Sequence, residues 1–183
     1  MKILVTNDDS HDSPLFEMLL EEIAGWGELT IAVPAEEQSW TGKSISRFNA
    51  LDLEKKTIAN HEAYCIGGSP ADCVNLAIYN LFDEKPDLVI SGINIGFNCG
   101  TSYVFSSGTV GACFEANIAG VPALSLSRRM SSEHYQAWNR DRALSEADLK
   151  TIRAEVSEIF KELRTRLFQR EDFLSEPLTW QVE

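Results

Sequence analysis

Positive charge is scarce in this chain. Sixteen lysines and arginines stand against 28 aspartates and glutamates, a formal net charge of -12. A surface of that sign repels nucleic-acid backbones and anionic membranes, so neither is expected as a partner. It leaves room for a small phosphate ester, because a bound metal reverses the local sign. The four cysteines, Cys65, Cys73, Cys99 and Cys113, form no C-x-x-C pair and have no clustered histidine. That argues against zinc and thioredoxin-like chemistry and for buried, reduced thiols in a cytoplasmic protein. No apolar run approaches the ~20 residues of a membrane span. The first residues run directly into a strand pattern, without a basic segment followed by an apolar one, so no signal peptide is expected. Repeats and low-complexity stretches are lacking too. What is left, 183 residues with 44% hydrophobic and 24% charged, suits a single α/β domain spanning 1–183.

The chain is organised around its first nine residues. Lys2-Ile3-Leu4-Val5-Thr6 reads as a short buried strand that runs straight into Asn7-Asp8-Asp9. In open α/β sheets, ligands bind where strands end at their carboxyl side. Two adjacent carboxylates repel, and burying them unpaired is costly. A hard divalent cation would resolve the conflict with oxygen ligands. Alone, the pair reads more readily as a solvated Asn-Asp turn; its neighbours along the chain reverse that preference.

Ser13 and Pro14 suit the start of a helix, with Leu15, Met18, Leu19 and Ile23 at helical spacing. Leu29–Val33 reads as a second strand, so the start is β-α-β and favours a parallel sheet. A polar loop follows, with Ser39, Thr41 and Gly42 able to face the Asp8-Asp9 turn. From Ser44 to Ile66 the pattern suggests strands around Ile45–Leu53 and Tyr64–Ile66, in an antiparallel excursion. Ser69-Pro70-Ala71-Asp72 is a capping box opening a helix to about Leu81. That structural role accounts for Ser69 and Asp72, which receive no catalytic one.

Asp87–Ser91 is a third core strand, opening into Gly92-Ile93-Asn94-Ile95-Gly96-Phe97-Asn98-Cys99-Gly100. Glycines at every fourth position let backbone approach a ligand closely. Asn94 can offer a neutral oxygen to a metal, and Asn98 can donate to a phosphate oxygen. Ser107-Gly108-Thr109 leads into a helix over Ala112–Ala119, whose first amides and dipole favour an anion. Ala123–Ser127 is a further buried strand. Arg128–Arg142 reads as a polar loop. Ser145–Asp148 reads as a second capping box before a long amphipathic helix with Leu149, Ile152, Val156, Ile159, Leu163 and Leu167 on one face. Glu171–Glu183 reads as acidic and irregular. The first strand leads to Asn-Asp-Asp rather than to a Gly-rich turn, which argues against a nicotinamide-binding protein.

This ordered set of loops resembles the SurE family of survival-protein nucleotidases. The segments that carry the resemblance are Ile3–Asp9, Val33-Pro34 through Ser39, Gly68–Val74, Pro86–Asn94 with Gly96 and Asn98, and Ser107–Gly111 through Ser127. It covers about residues 1–127. It implies a Rossmann-like three-layer α/β fold with a mostly parallel sheet, its C-terminal part shortened relative to the family. It implies a 5'-nucleotidase that hydrolyses nucleoside monophosphates to nucleoside and phosphate with a divalent cation, Mg²⁺ or Mn²⁺. By that resemblance Asp8, Asp9, Ser39 and Asn94 match the metal ligands, Asn98, Ser107, Gly108 and Thr109 match the phosphate-contacting loop, and Asp8, Asp9 and Asn98 match the catalytic set.

Two positions depart from the family pattern. Ser10 stands where Gly is usual, and Lys43 where His is frequent. The family's oligomerisation segment follows the part matched, which leaves homodimerisation open. It also keeps two alternatives: a non-catalytic nucleotide- or metal-binding scaffold, and a broad-specificity acid phosphatase.

Overall fold

The computed structural model describes residues 1–183. Its strands are β1 (Lys2–Thr6), β2 (Glu28–Pro34), β3 (Leu53–Ile58), β4 (His61–Ile66), β5 (Leu88–Ile95), β6 (Ala123–Arg128) and β7 (Thr179–Val182). The helices are α1 (Pro14–Ile23), α2 (Pro70–Asn80), α3 (Thr101–Ser106), α4 (Gly108–Ile118), α5 (Ser132–Asp141) and α6 (Glu146–Phe168). One seven-stranded sheet runs in the order β3-β4-β2-β1-β5-β6-β7. Every neighbouring pair is parallel except the β3–β4 hairpin. The three-layer, mostly parallel α/β reading therefore holds.

Alternation along β1 sorts the core into two layers. Ile3 and Val5 join Leu15, Leu19, Ile152, Val156 and Phe160 on the face covered by α1 and α6. Leu4 joins Ala32, Ile66, Val74, Ala77, Ala112 and Ala116 on the face covered by α2 and α4. Because β1 is buried on both faces, it is a run of apolar residues without polar alternation. It lies between β2 and β5, where the strand order reverses, and the crevice beyond such a reversal is the usual ligand site of open α/β sheets.

Several elements differ from the sequence expectation. The Arg128–Arg142 stretch holds α5, capped by the Ser131 hydroxyl that accepts from the His134 amide. Trp138 is the only buried residue of α5, so the helix shows no apolar stripe to read. The irregular tail ends in β7, an edge strand pairing with β6, and α3 follows the Gly-rich loop directly, with Gly100 at its cap position. Residues 45–52 form no strand; the excursion is the β3–β4 hairpin. On α6, Phe160 is buried and Ile159 is exposed, reversing the predicted stripe at that turn. Of the two capping boxes, Ser69–Asp72 has both bonds. At Ser145 the hydroxyl caps, while the Asp148 carboxylate accepts from that hydroxyl. Ser13 sits at the α1 cap position, yet its hydroxyl is buried and makes no hydrogen bond. Cys65, Cys73 and Cys113 are buried as expected, whereas Cys99 is exposed.

Strand β5 runs three residues past its shared register with β6 at Ser91, through an irregularity, to pair again at Asn94 and Ser127. Gly92 makes that passage. Its φ is +135°, and a Cβ there would meet the Leu126 carbonyl oxygen at 2.2 Å, so no side chain fits. The result carries Asn94 and Ile95 out to the level of the β1 carboxyl end.

Candidate active site

Asp8 and Asp9 leave the end of β1 and are both buried, at 3% and 5% exposure. The Asp8 Oδ1 accepts a hydrogen bond from the Thr109 hydroxyl at 2.7 Å, and the Asp9 Oδ2 accepts from the Ile95 amide at 2.8 Å. Neither carboxylate takes part in any ion pair of the chain. Burial pushes the Asp8 carboxyl up to about 6, against hydrogen bonds from Thr109 that pull it down. Asp9 is pushed well above the usual carboxylate range, by burial first and by the Asp8 charge second. Two carboxylates desolvated side by side, with no ion pair and only Arg142, itself paired with Glu37, as a nearby positive charge, are the costly arrangement that a bound cation relieves.

The other proposed ligands lie on the same crevice. Asp8, Ser39, Asn94, Asn98 and Ser107 all line one cleft of about 660 Å³. The Gln38 amide donates to the Asp8 carbonyl at 2.8 Å and ties the Ser39 loop to the Asp turn. The Ser39 hydroxyl is exposed and donates to Glu37. Asp9 lines an adjoining hollow of about 250 Å³, together with His11, Glu37 and Arg142. The donor set fits a hard divalent cation: two carboxylates, a hydroxyl and an amide oxygen, all oxygen donors. No three His, Cys, Asp or Glu side chains cluster anywhere in the chain, so such a site depends on the neutral oxygens of Ser39 and Asn94.

Helix α4 starts against the Asp turn. Ser107 is its cap and accepts from the Val110 amide. Gly108 is packed so closely that a Cβ would meet the Asp8 Cβ at 2.9 Å and the Gln38 carbonyl oxygen at 3.0 Å. Thr109, expected beside a phosphate, is fully buried with its hydroxyl turned to Asp8. It is therefore a positioning residue for that carboxylate. Asn98 is buried, and its amide nitrogen donates to the Ser127 hydroxyl at 2.8 Å. Its backbone is held from β7: the amide donates to the Glu183 carboxylate and the carbonyl accepts from Gln181 at 2.9 Å.

The two departures from the family pattern have structural answers. Ser10 has φ +72°, the left-handed region where Gly is easiest. Its carbonyl accepts from the Asn7 side chain at 2.7 Å, and its hydroxyl bonds the Ala35 carbonyl, which fix it in place. Lys43 lies 2.7 Å from Glu115. That contact is charge attraction without hydrogen-bond alignment, since the same Glu115 oxygen lacks a hydrogen-bond partner.

Sequence reasoning missed the Gln181 and Glu183 anchors, because a four-residue strand at a chain's acidic end has no periodicity to show. It also missed much of the rest of the cleft wall, Trp40, Phe97, Tyr103 and Arg129 among it.

The family profile described as survival protein SurE matches residues 3–175. The chain belongs to the SurE family. The profile extends through α6, well past the limit near residue 127 expected from motifs alone. A protein named 5'-nucleotidase SurE from Methanosarcina barkeri is 43% identical over 132 residues, 72% of this chain and 49% of that relative. Another of that name, from Methanothermobacter thermautotrophicus, is 42% identical over 128 residues, 69% of this chain and 49% of the relative. The crystal structure of the SurE protein from Aquifex aeolicus is 30% identical, with a TM-score of 0.63, over 88% of this chain and 61% of that one. The chain thus spans about half the length of the curated SurE relatives it matches. No helix is long and apolar enough to cross a membrane.

Proposed function

We propose that this SurE-family chain is a divalent-metal-dependent phosphomonoesterase that hydrolyses nucleoside monophosphates to nucleoside and phosphate. The observation that carries the reading is the Asp8–Asp9 pair, buried without an ion-pair partner beside a cleft lined by Ser39, Asn94 and Asn98. The kinship with proteins named 5'-nucleotidase supports the substrate class.

In this reading Asp8, Asp9, Ser39 and Asn94 hold the cation, with Mg²⁺ or Mn²⁺ suited to the donors. When bound, such an ion polarises phosphoryl oxygens and makes its water more acidic. Asp8 is the carboxylate on the cleft, so it orients a water there and accepts its proton, while Thr109 holds it in place. Asp9, fixed by the Ile95 amide, supplies the second carboxylate. The first amides of α4 and the free N–H of the Asn98 side chain stabilise the negative charge that grows on the phosphoryl oxygens.

The test is phosphate release from a panel of nucleoside monophosphates and one aryl phosphate, each with Mg²⁺, Mn²⁺ or chelator. Release from nucleotides that requires a divalent ion is the expected result. Release that survives thorough chelation overturns the metal dependence. Equal rates on the aryl ester replace nucleotide selectivity by broad phosphatase activity, and silence on every ester with every ion replaces the enzyme by a binding protein.

A further inference from the structure

One wall of the cleft is aromatic. Trp40, on the loop after β2, lies 5.8 Å from Tyr103 of α3, and Tyr103 lies 4.9 Å from Phe97, ring centroid to centroid. All three line the cavity that Asp8 also lines, and they are 69%, 40% and 40% exposed. Single exposed aromatics are common on surfaces, but three in contact along one cavity wall are not accounted for by core packing. Arg129 sits over the outer face of this row, 5.8 Å from the Phe97 ring.

Trp40 is also held in an unfavourable backbone state. Its φ is +62°, which a bulky residue adopts only when the surroundings force it. Two residues on, the Gly42 amide donates to the Ser106 carbonyl at 2.9 Å and pins the loop to the end of α3. The loop therefore spends strain on presenting a large indole to the cleft. Nothing in the fold needs that indole, since most of its surface is bare.

We infer that Trp40, Tyr103 and Phe97 form a stacking platform for the aromatic base of the nucleotide, placed beside the phosphate site. This deepens the phosphatase reading and rests on it. A planar heterocycle has the shape and the π-face that an exposed aromatic row accepts. Arg129, at the rim, supplies donors and a positive charge for the acceptor-rich edge of a base. A simple alkyl phosphate would leave the whole wall uncovered.

The experiment uses the full chain and calorimetric titration with adenosine, ribose and inorganic phosphate, in parent, Trp40→Ala and Trp40→Phe. No turnover is read, so an inactive protein still tests the platform. The expected result is adenosine binding by the parent, a loss of about tenfold in Trp40→Ala, near-parent affinity in Trp40→Phe, and unchanged phosphate binding in both. Tyr103→Ala should show a similar loss and serves if Trp40→Ala does not fold. Three results overturn the platform: no adenosine binding by the parent, equal adenosine affinity in parent and the alanine variant, or ribose binding as tight as adenosine binding. Phosphate release that fails for all nucleotides while adenosine still binds through Trp40 overturns the phosphatase reading alone.

Discussion

At the residue scale the chemistry rests on how Asp8 and Asp9 are held. Burial raises the Asp8 carboxyl from its ordinary value near 3.8 to about 6. Protonation of a folded-state group with a raised value stabilises the fold fully below about pH 4, and that stability is lost as pH climbs through 6. Asparagine at position 8 still accepts from Thr109 but carries no charge. In chelator at pH 7.5, Asp8→Asn should therefore melt several degrees above the parent, the gap shrinking toward pH 4. The rise in Asp8 sets an upper limit on the order of 3 kcal/mol. Adding Mn²⁺ should raise the melting temperature of the parent and leave the variant nearly still. A parent that responds to no divalent ion removes the ground for the metal site. Thr109→Val strips the donor from a buried carboxylate and should cost ~1–3 kcal/mol in denaturant unfolding, with Thr109→Ser recovering most of it. The two asparagines should separate as well. Asn94→Ala should weaken metal binding, whereas Asn98→Ala, bonded to Ser127, should slow turnover with metal affinity nearly intact. Equal losses of metal affinity would reverse the assignment.

At the element scale, what could be read from sequence was whatever a local rule enforces. The apolar runs of β1, β5 and β6, the box at Ser69-Pro70-Ala71-Asp72, and the polar turns at strand ends each follow from neighbours within a few residues. The placement of Asp8, Ser39 and Asn94 on one crevice was legible for the same reason: Asp8 and Ser39 follow strand ends and Asn94 lies among the last residues of β5. α5 and β7 were not, because one is polar on nearly every side and the other is defined only by its pairing with β6. Thr109's bond to Asp8 was equally hidden, since a threonine at a helix start looks the same whether it serves a phosphate or a carboxylate. Gly108 gives the element-scale prediction. Alanine would raise helix propensity by at most about 1 kcal/mol. The new methyl group would press on Asp8 and on the rigid Gln38 backbone at about 3 Å, and that displacement should win. Gly108→Ala is expected to lower both the melting temperature and Mn²⁺ affinity; a more stable variant with parental affinity would show that the turn yields easily.

For the whole molecule, net charge and topology matter more than any one contact. A charge of -12 makes the folded state repel itself, and salt screens that repulsion over a Debye length of about 8–10 Å near physiological strength. Sodium chloride at tenths of molar should thus raise the melting temperature slightly in parent and Asp8→Asn alike. Millimolar Mg²⁺ should raise the parent alone, which separates a bound ion from general screening. Topology has a consequence in time. β1 is the central strand, yet it is flanked on one side by β5, which comes far later in the chain, with Ile3 opposite Leu88. The bond that fixes Asp9 spans 86 residues and the one that fixes Asp8 spans 101. No segment near in sequence holds either carboxylate by its side chain. On a ribosome adding roughly 5–20 residues per second, Asp8 and Asp9 are made several seconds before the groups that will hold their carboxylates. The site thus cannot be complete before α4 is made, and a nascent chain that stops before α4 has the two aspartates without the hydroxyl that holds Asp8.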